Sequence, residues 1–327
     1  MQAGGYEKTF TIREQAEARE KAMLSPYASL SVNTRGRERD EKPCEIRPAY
    51  QRDRDRILHC KAFRRLKHKT QVFLCPQGDH YRDRLTHTLE VSQIARTISC
   101  ALSLNESLTE AIALGHDLGH TPFGHSGEHV LNQLNPGGFI HCDQSVRVVE
   151  ILEKKGQGLN LTWEVRDGRC VQLADKIAYI NHDIDDAERA GILKEDDIPE
   201  EYRRILGSST KERLNTMICD IVKNSIGKSQ INPTGDIEWA MKNLRAYMFR
   251  NVYTGSIAKS EEGKAESVIR SLYDYYTEHL ESLPEEYLVM IYHRGEGVER
   301  VVCDYISGMT DQYAMTKYTE LFIPKLW

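Results

Sequence analysis

The feature that most constrains this chain is a helix that runs from apolar residues straight into charge. Ser107-Leu108-Thr109-Glu110 reads as a capping box, and Ala111-Ile112-Ala113-Leu114 carries the helix into His116-Asp117. The thirteen residues from His116 to Glu128 hold three histidines, an aspartate and a glutamate among small residues that let backbones pack closely. A His-Asp doublet at a helix end, with a further His upstream and an Asp downstream, is what a divalent metal needs to be held by imidazole and carboxylate. The other two ligands must come from separate helices. His87, in Arg84-Leu85-Thr86-His87, and Asp175, in Leu173-Ala174-Asp175-Lys176-Ile177, are the candidates. A carboxylate inside an apolar helix is costly unless a cation pairs with it. Taken singly, each residue is as well explained by a core histidine, a cap or a salt bridge; the ordered set is not.

Helical patterning dominates from Tyr50 onward. Leu85, Leu89, Ala95, Ile98 and Leu102 predict a helix of about five turns with a buried stripe, turning His87 inward. Pro122 ends the helix that carries His116, a second covers 128–134, and Asn135-Pro136-Gly137-Gly138 stops that one. Further helices are expected at 12–24, 144–155, 171–190, 200–206, 210–225, 236–252, 260–283 and 299–322. Strand signals are confined to 161–166 and 73–75. The expectation is an all-α helical bundle, a single large domain with few or no strands. Residues 1–45 form a polar, partly mobile segment, and 46–327 form the domain, with a metal-site core at 80–190 and C-terminal helices at 200–327.

A net charge of −5 argues against a mainly nucleic-acid-binding surface. Locally, 52–69 is rich in Arg and Lys, which fits either a solvated helix face or a surface turned to polyphosphate. The eight cysteines make no CxxC pair, residues 2–19 are polar, and no apolar run reaches the ~20 residues of a membrane span. These features predict reduced thiols and a cytoplasmic protein.

The order His87, His116-Asp117, Asp175 resembles the HD-domain metal phosphohydrolases, an all-helical superfamily. Gly119-His120-Thr121-Pro122-Phe123-Gly124-His125-Ser126-Gly127-Glu128 narrows the resemblance to the deoxynucleoside triphosphate triphosphohydrolases, the dGTPase family. So do the segments Tyr50 to Arg56, Phe63 to Phe73 and Asp304 to Asp311, and the pattern runs from about residue 34 to the C-terminus. Two positions depart from it. Lys176 stands where close bacterial relatives often have a second Asp, as in the vertebrate branch, and Cys142 stands where His-Asn-x-Gln is usual.

The resemblance implies hydrolysis of deoxynucleoside triphosphates, dGTP-like, to deoxynucleoside and tripolyphosphate. Such a reaction needs a nucleophilic water, charge neutralisation and a proton for the leaving 5′-oxygen. A divalent ion at His87, His116, Asp117 and Asp175 suits the first two, with Mn, Mg, Fe, Zn, Co and Ni not distinguished. His125 and Glu128 lie three apart on one helix face and suit the third, Glu128 keeping His125 protonated; the resemblance implies the same pairing. His120 joins this catalytic group. His141 is expected beside phosphate, an ordinary loop histidine being the alternative. Arg84, one turn before His87, and Lys176 are candidate phosphate cations. Arg245, eight residues before Tyr253, matches the spacing of the family's phosphate-Arg and sugar-Tyr pair. Each of these cations alone reads equally as a surface residue. Tyr179 and Asp183 share a helical face with Asp175 and are assigned to the sugar together with Gln71. The resemblance gives Gln71 and Asp183 the 3′-hydroxyl and Tyr253 the C2′ face.

Expected partners are the dNTP substrate, further copies of the chain in a homo-oligomer (tetramer or hexamer) and a regulatory nucleotide, with no membrane and no nucleic acid. Another HD-domain enzyme, a nucleoside monophosphatase or cyclic-nucleotide phosphodiesterase, would leave His120, His125 and Glu128 unexplained. A non-enzymatic nucleotide sensor or nucleic-acid binder would leave the intact ligand set unexplained.

Overall fold

Every regular element among the described residues of the computed structural model (10–71, 82–167, 171–253 and 258–325) is a helix. Extended backbone pairs only at two isolated bridges, Arg37 with Thr162 and Thr70 with Asp83. The expected 161–166 strand is instead that single bridge followed by a helical turn, Trp163–Arg166. Thr162 donates through its N–H and hydroxyl to the buried Asp53 carboxylate, at 2.9 and 2.7 Å, so its polarity rather than its β-branching decides the local structure. The 73–75 strand signal lies outside the described residues.

The site-bearing core is built on helices Ala49–Leu58, Arg84–Ala101, Glu106–Gly115 and Gln172–Arg189. Glu106–Gly115 packs against both Ala49–Leu58 and Arg84–Ala101, and the latter packs against Gln172–Arg189. Glu106–Gly115 is capped by Asn105, whose side-chain oxygen accepts the Leu108 N–H at 3.2 Å, two residues ahead of the expected box. Asn ranks with Ser as a cap, and Glu110 is drawn away to Arg54 at 3.3 Å. On Arg84–Ala101 the stripe is corrected too. Leu89 is 50% exposed, whereas His87, Val91, Ile94, Ala95 and Ile98 are buried. The helix is rotated to bury His87, and Leu89 is left outside.

A second core gathers Phe123, Val130 and Leu131 with Ile269, Leu272, Val302, Ile306 and Ala314. Helix Gly124–Leu134 thus packs against Ala258–Glu278 rather than into the first core. The expected 299–322 helix is two, Val298–Ser307 and Asp311–Phe322, because Thr310 caps a new start by accepting the Tyr313 N–H at 3.2 Å. Helix Glu285–Arg294 was not expected, and the 144–155 helix starts earlier, at His141, then loosens into a π-type turn over Val148–Leu152. Glu200–Leu206 and Thr210–Ser225 match the expected bounds.

Three arginines of 52–69 are committed inside the fold. Arg52 and Arg56 pair with Glu41, Arg54 with Asp55 and Glu110, and Arg56 also donates to the Leu159 and Asn160 carbonyls at 3.0 and 2.7 Å. This corrects the polyphosphate-facing reading for Arg52, Arg54 and Arg56, whose guanidiniums pair with neighbouring carboxylates. Arg37 ties the N-terminal residues to the same place through Asp53 and the Asn160 carbonyl.

Candidate active site

The helix packing brings the expected ligands together. His116 caps the end of Glu106–Gly115, and its Nδ1 lies 2.7 Å from the Ala113 carbonyl. A carbonyl only accepts, so Nδ1 carries the proton and Nε2 presents a lone pair. That Nε2 is buried and has no hydrogen-bond partner. Ligand atoms of His87, His116 and Asp117 lie within 4.8 Å of one another. Asp175 Oδ1 completes the group, 3.1 Å from His87 Nε2 and 3.9 Å from His116 Nε2. Burial alone would raise the pKa of Asp117, but His116 and Arg84 outweigh it and hold the carboxyl well below its ordinary range. Burial lowers His87 toward the neutral ligand form. Two imidazoles, two carboxylates and an orphaned Nε2 fit a divalent cation. Gly119 lets the next segment close over the site, since a Cβ there would lie 2.2 Å from the Ser145 nitrogen.

A second cluster faces the first. His120, His125, Glu128 and His141 offer donor atoms within 4.8 Å of one another. Glu128 is gripped from two sides, by His125 Nδ1 at 3.0 Å and by His141 Nδ1 and N–H, both at 2.8 Å. Burial would raise Glu128, but the two imidazoles hold it far below its ordinary value. Burial likewise works to lower His141; contacts with the Cys142 sulfur and Glu128, and the field of Asp117, outweigh it and push it up to about 10. His120 stacks on His141 with ring centres 4.5 Å apart. Burial, then Arg84, depresses its pKa strongly, and its Nδ1 has no hydrogen-bond partner.

Between the clusters lies a cavity of about 180 Å³. Its lining is Gln71, Arg84, His87, Asp117, His120, His125, His141, Gln172, Asp175, Lys176, Tyr179 and Arg245. Arg84 donates to Asp117 Oδ2 at 2.7 Å, and Arg245 sits 5.6 Å from the Tyr179 ring centre. Three expected site residues stand behind this lining: His116, Glu128 and Asp183, the last 1% exposed one turn beyond Tyr179. The Tyr253 side chain lies outside the described residues. None of residues 52–69 reaches the cavity.

Sequence reasoning missed Gln172 and the scaffold that holds the second cluster. Lys69, fully buried, donates through Nζ to the His120 and Ser307 carbonyls, and burial lowers its pKa. Asp311 accepts the Phe123 N–H at 2.9 Å through Oδ1 and the Thr70 N–H at 2.8 Å through Oδ2. Phe123 is in the left-handed region (φ 61°), immediately before the helix that carries His125. Asp311 stood inside a recognised motif, but in sequence it reads as one more acid at a helix start.

An all-helical frame in which His87, His116-Asp117 and Asp175 meet defines an HD-domain phosphohydrolase. A family described as a phosphohydrolase-associated domain matches residues 232–320. The chain is 55% identical to a deoxyguanosinetriphosphate triphosphohydrolase-like protein of Caldanaerobacter subterraneus, covering 97% of each. Proteins of the same name from Clostridium perfringens (96% of this chain, 98% of the relative) and Desulfatibacillum aliphaticivorans (96% and 99%) are 49% and 46% identical. The chain belongs to the deoxyguanosinetriphosphate triphosphohydrolase-like family. Among the described residues no helix is long and apolar enough to cross a membrane, and the described cysteines are free thiols.

Proposed function

We propose that this chain hydrolyses deoxynucleoside triphosphates to deoxynucleoside and tripolyphosphate. The observation that carries the reading is the cavity itself, whose lining joins His87, Asp117 and Asp175 of one cluster to His120, His125 and His141 of the other, with Arg84, Lys176 and Arg245 among them. His87, His116, Asp117 and Asp175 would hold a divalent ion, which would supply a water of lowered pKa and neutralise charge on the α-phosphate. Arg84, Lys176 and Arg245 bind the remaining phosphate charge. His141, protonated against Glu128, adds an imidazolium beside it. His125 gives its proton to the leaving 5′-oxygen while Glu128 orients the ring through Nδ1, leaving Nε2 for the transfer. Gln71, Tyr179 and Asp183 take the sugar, and Tyr253 excludes a 2′-hydroxyl.

The test is a panel of four dNTPs and four NTPs with Mn²⁺ and with Mg²⁺, products resolved by chromatography. Deoxynucleoside and tripolyphosphate are expected, with dNTPs preferred. Orthophosphate release would move the chain to another HD-domain activity, and equal kcat/KM for dNTPs and NTPs would remove the deoxy-specific reading.

A further inference from the structure

Behind the ligand His87 runs a line of hydrogen-bonding groups that the proposed reaction does not use. His87 Nδ1 lies 3.2 Å from His182 Nδ1, and both rings are buried. His182 Nε2 lies 2.9 Å from Glu90 Oε2. Arg82 holds that carboxylate at 3.1 Å and is itself anchored on Asp185 at 2.5 Å and Asp186 at 3.1 Å. The line therefore reads Asp175, His87, His182, Glu90, with a carboxylate at each end and two imidazoles between.

With one proton per ring, this line has three contacts of hydrogen-bond length and only two protons to fill them. One contact must leave two acceptors facing each other. Were it the outer one, the His182 Nε2 lone pair would face the Glu90 carboxylate at 2.9 Å. Glu90 instead draws the His182 proton to Nε2, so His182 Nδ1 is an acceptor. A His87 proton on Nε2 would leave two Nδ1 lone pairs facing each other at 3.2 Å and would meet a bound cation, whereas on Nδ1 it fills that contact and frees Nε2 as a ligand. The unfilled contact is then His87 Nε2 against Asp175 Oδ1, where the ligand atoms converge. A cation there replaces the missing proton. Ligating imidazoles as a rule donate their other N–H to a fixed acceptor, and losing that acceptor typically weakens metal binding ~10–100-fold.

We infer that His182 and Glu90 are positioning residues that fix His87 in its Nε2-ligating tautomer and aim its lone pair into the cation site. The inference rests on the reading of His87, His116, Asp117 and Asp175 as ligands. His182 is a positioning residue because it lies one ring behind the ligand and does not line the cavity.

The experiment titrates Co²⁺ against a chromophoric chelator and records its visible absorption in the wild-type protein and four variants. His182→Leu keeps the volume and removes the acceptor; affinity should fall ~10–100-fold and the absorption band should shift. His182→Asn places a carbonyl oxygen where Nδ1 stood and should recover most of that loss. Glu90→Gln keeps an acceptor but not its charge and should cost less than His182→Leu. Far-UV circular dichroism of the chelated proteins confirms that each is folded. Unchanged affinity in His182→Leu would overturn the inference, as would His182→Asn binding as weakly as His182→Leu, since packing alone would then explain the site. A wild-type protein that takes up no stoichiometric Co²⁺, or a His116→Ala variant that keeps it, would instead overturn the ligand reading underneath.

Discussion

His116 and His141 both use Nδ1 to hold their rings in place, yet their partners give them opposite chemistry. His116 donates to the neutral Ala113 carbonyl, which fixes a lone pair on Nε2 and leaves the ring an acceptor among the atoms of His87, Asp117 and Asp175. His141 donates to the Glu128 carboxylate, which stabilises the doubly protonated ring and makes it a donor. The same contrast holds for the whole clusters. The His87, His116, Asp117 and Asp175 group gathers acceptors, among them a His116 Nε2 with no hydrogen-bond partner. The His120, His125, Glu128 and His141 group spends its one carboxylate internally, on His125 and His141, and leaves its imidazoles to line the cavity. A side chain's role here is set by what stands behind it.

The widest separation between the clusters should appear on removing a ligand. His116→Ala is expected to lose both the ion and turnover, and chelation of the parent should lower its melting temperature because the ligands join three segments. Elemental analysis beside an activity assay checks it; full occupancy with normal turnover would erase the distinction. On the other wall, His125→Ala should keep its ion and substrate affinity and lose ~10²–10⁴-fold in kcat. Glu128→Gln should follow the same pattern more mildly, since the imidazole stays. Ion loss from His125→Ala would make the second cluster a ligand set as well.

The ligand cluster is legible in sequence because each member is a local anomaly. A His-Asp doublet closes an apolar helix, and a carboxylate interrupts another. What supports those residues is not legible. His87 and His182 meet across 95 residues of chain, and no spacing rule pairs them. The fold shows the same division. Thr210–Ser225 can be read from its own cap and periodicity, whereas the exposure of Leu89 depends on which face of its helix must carry His87 to the ion. The C-terminal split at 308–310 hides because apolar spacing continues across it, and only the Thr310 cap reveals the break.

A fourth variant probes the tether rather than the clusters. Asp311→Ala strips the acceptor from the Thr70 and Phe123 N–H groups, and a buried unpaired donor costs ~1–3 kcal/mol. Melting temperature should drop while ion content holds. Misplacement of His125 by about an ångström would carry kcat down by up to ~10²-fold. Equal losses of ion and turnover would show that the two clusters are not separately supported.

The smallest expected effect is one of pH. His141 is raised above an ordinary imidazole, so its stabilisation is complete below about pH 6.5 and is lost as pH rises through about 10. His141→Asn should therefore lower the melting temperature by more near pH 6 than near pH 10, read by scanning calorimetry. A gap constant across that range would uncouple His141 from Glu128.

Asp311 also orders events in time. All four ligands have been synthesised by residue 175, but the turn before the His125 helix takes its hydrogen bond from a residue 188 positions after Phe123. On the roles proposed above, a chain still on the ribosome has the residues assigned to the ion long before it has the carboxylate that braces the turn ahead of His125.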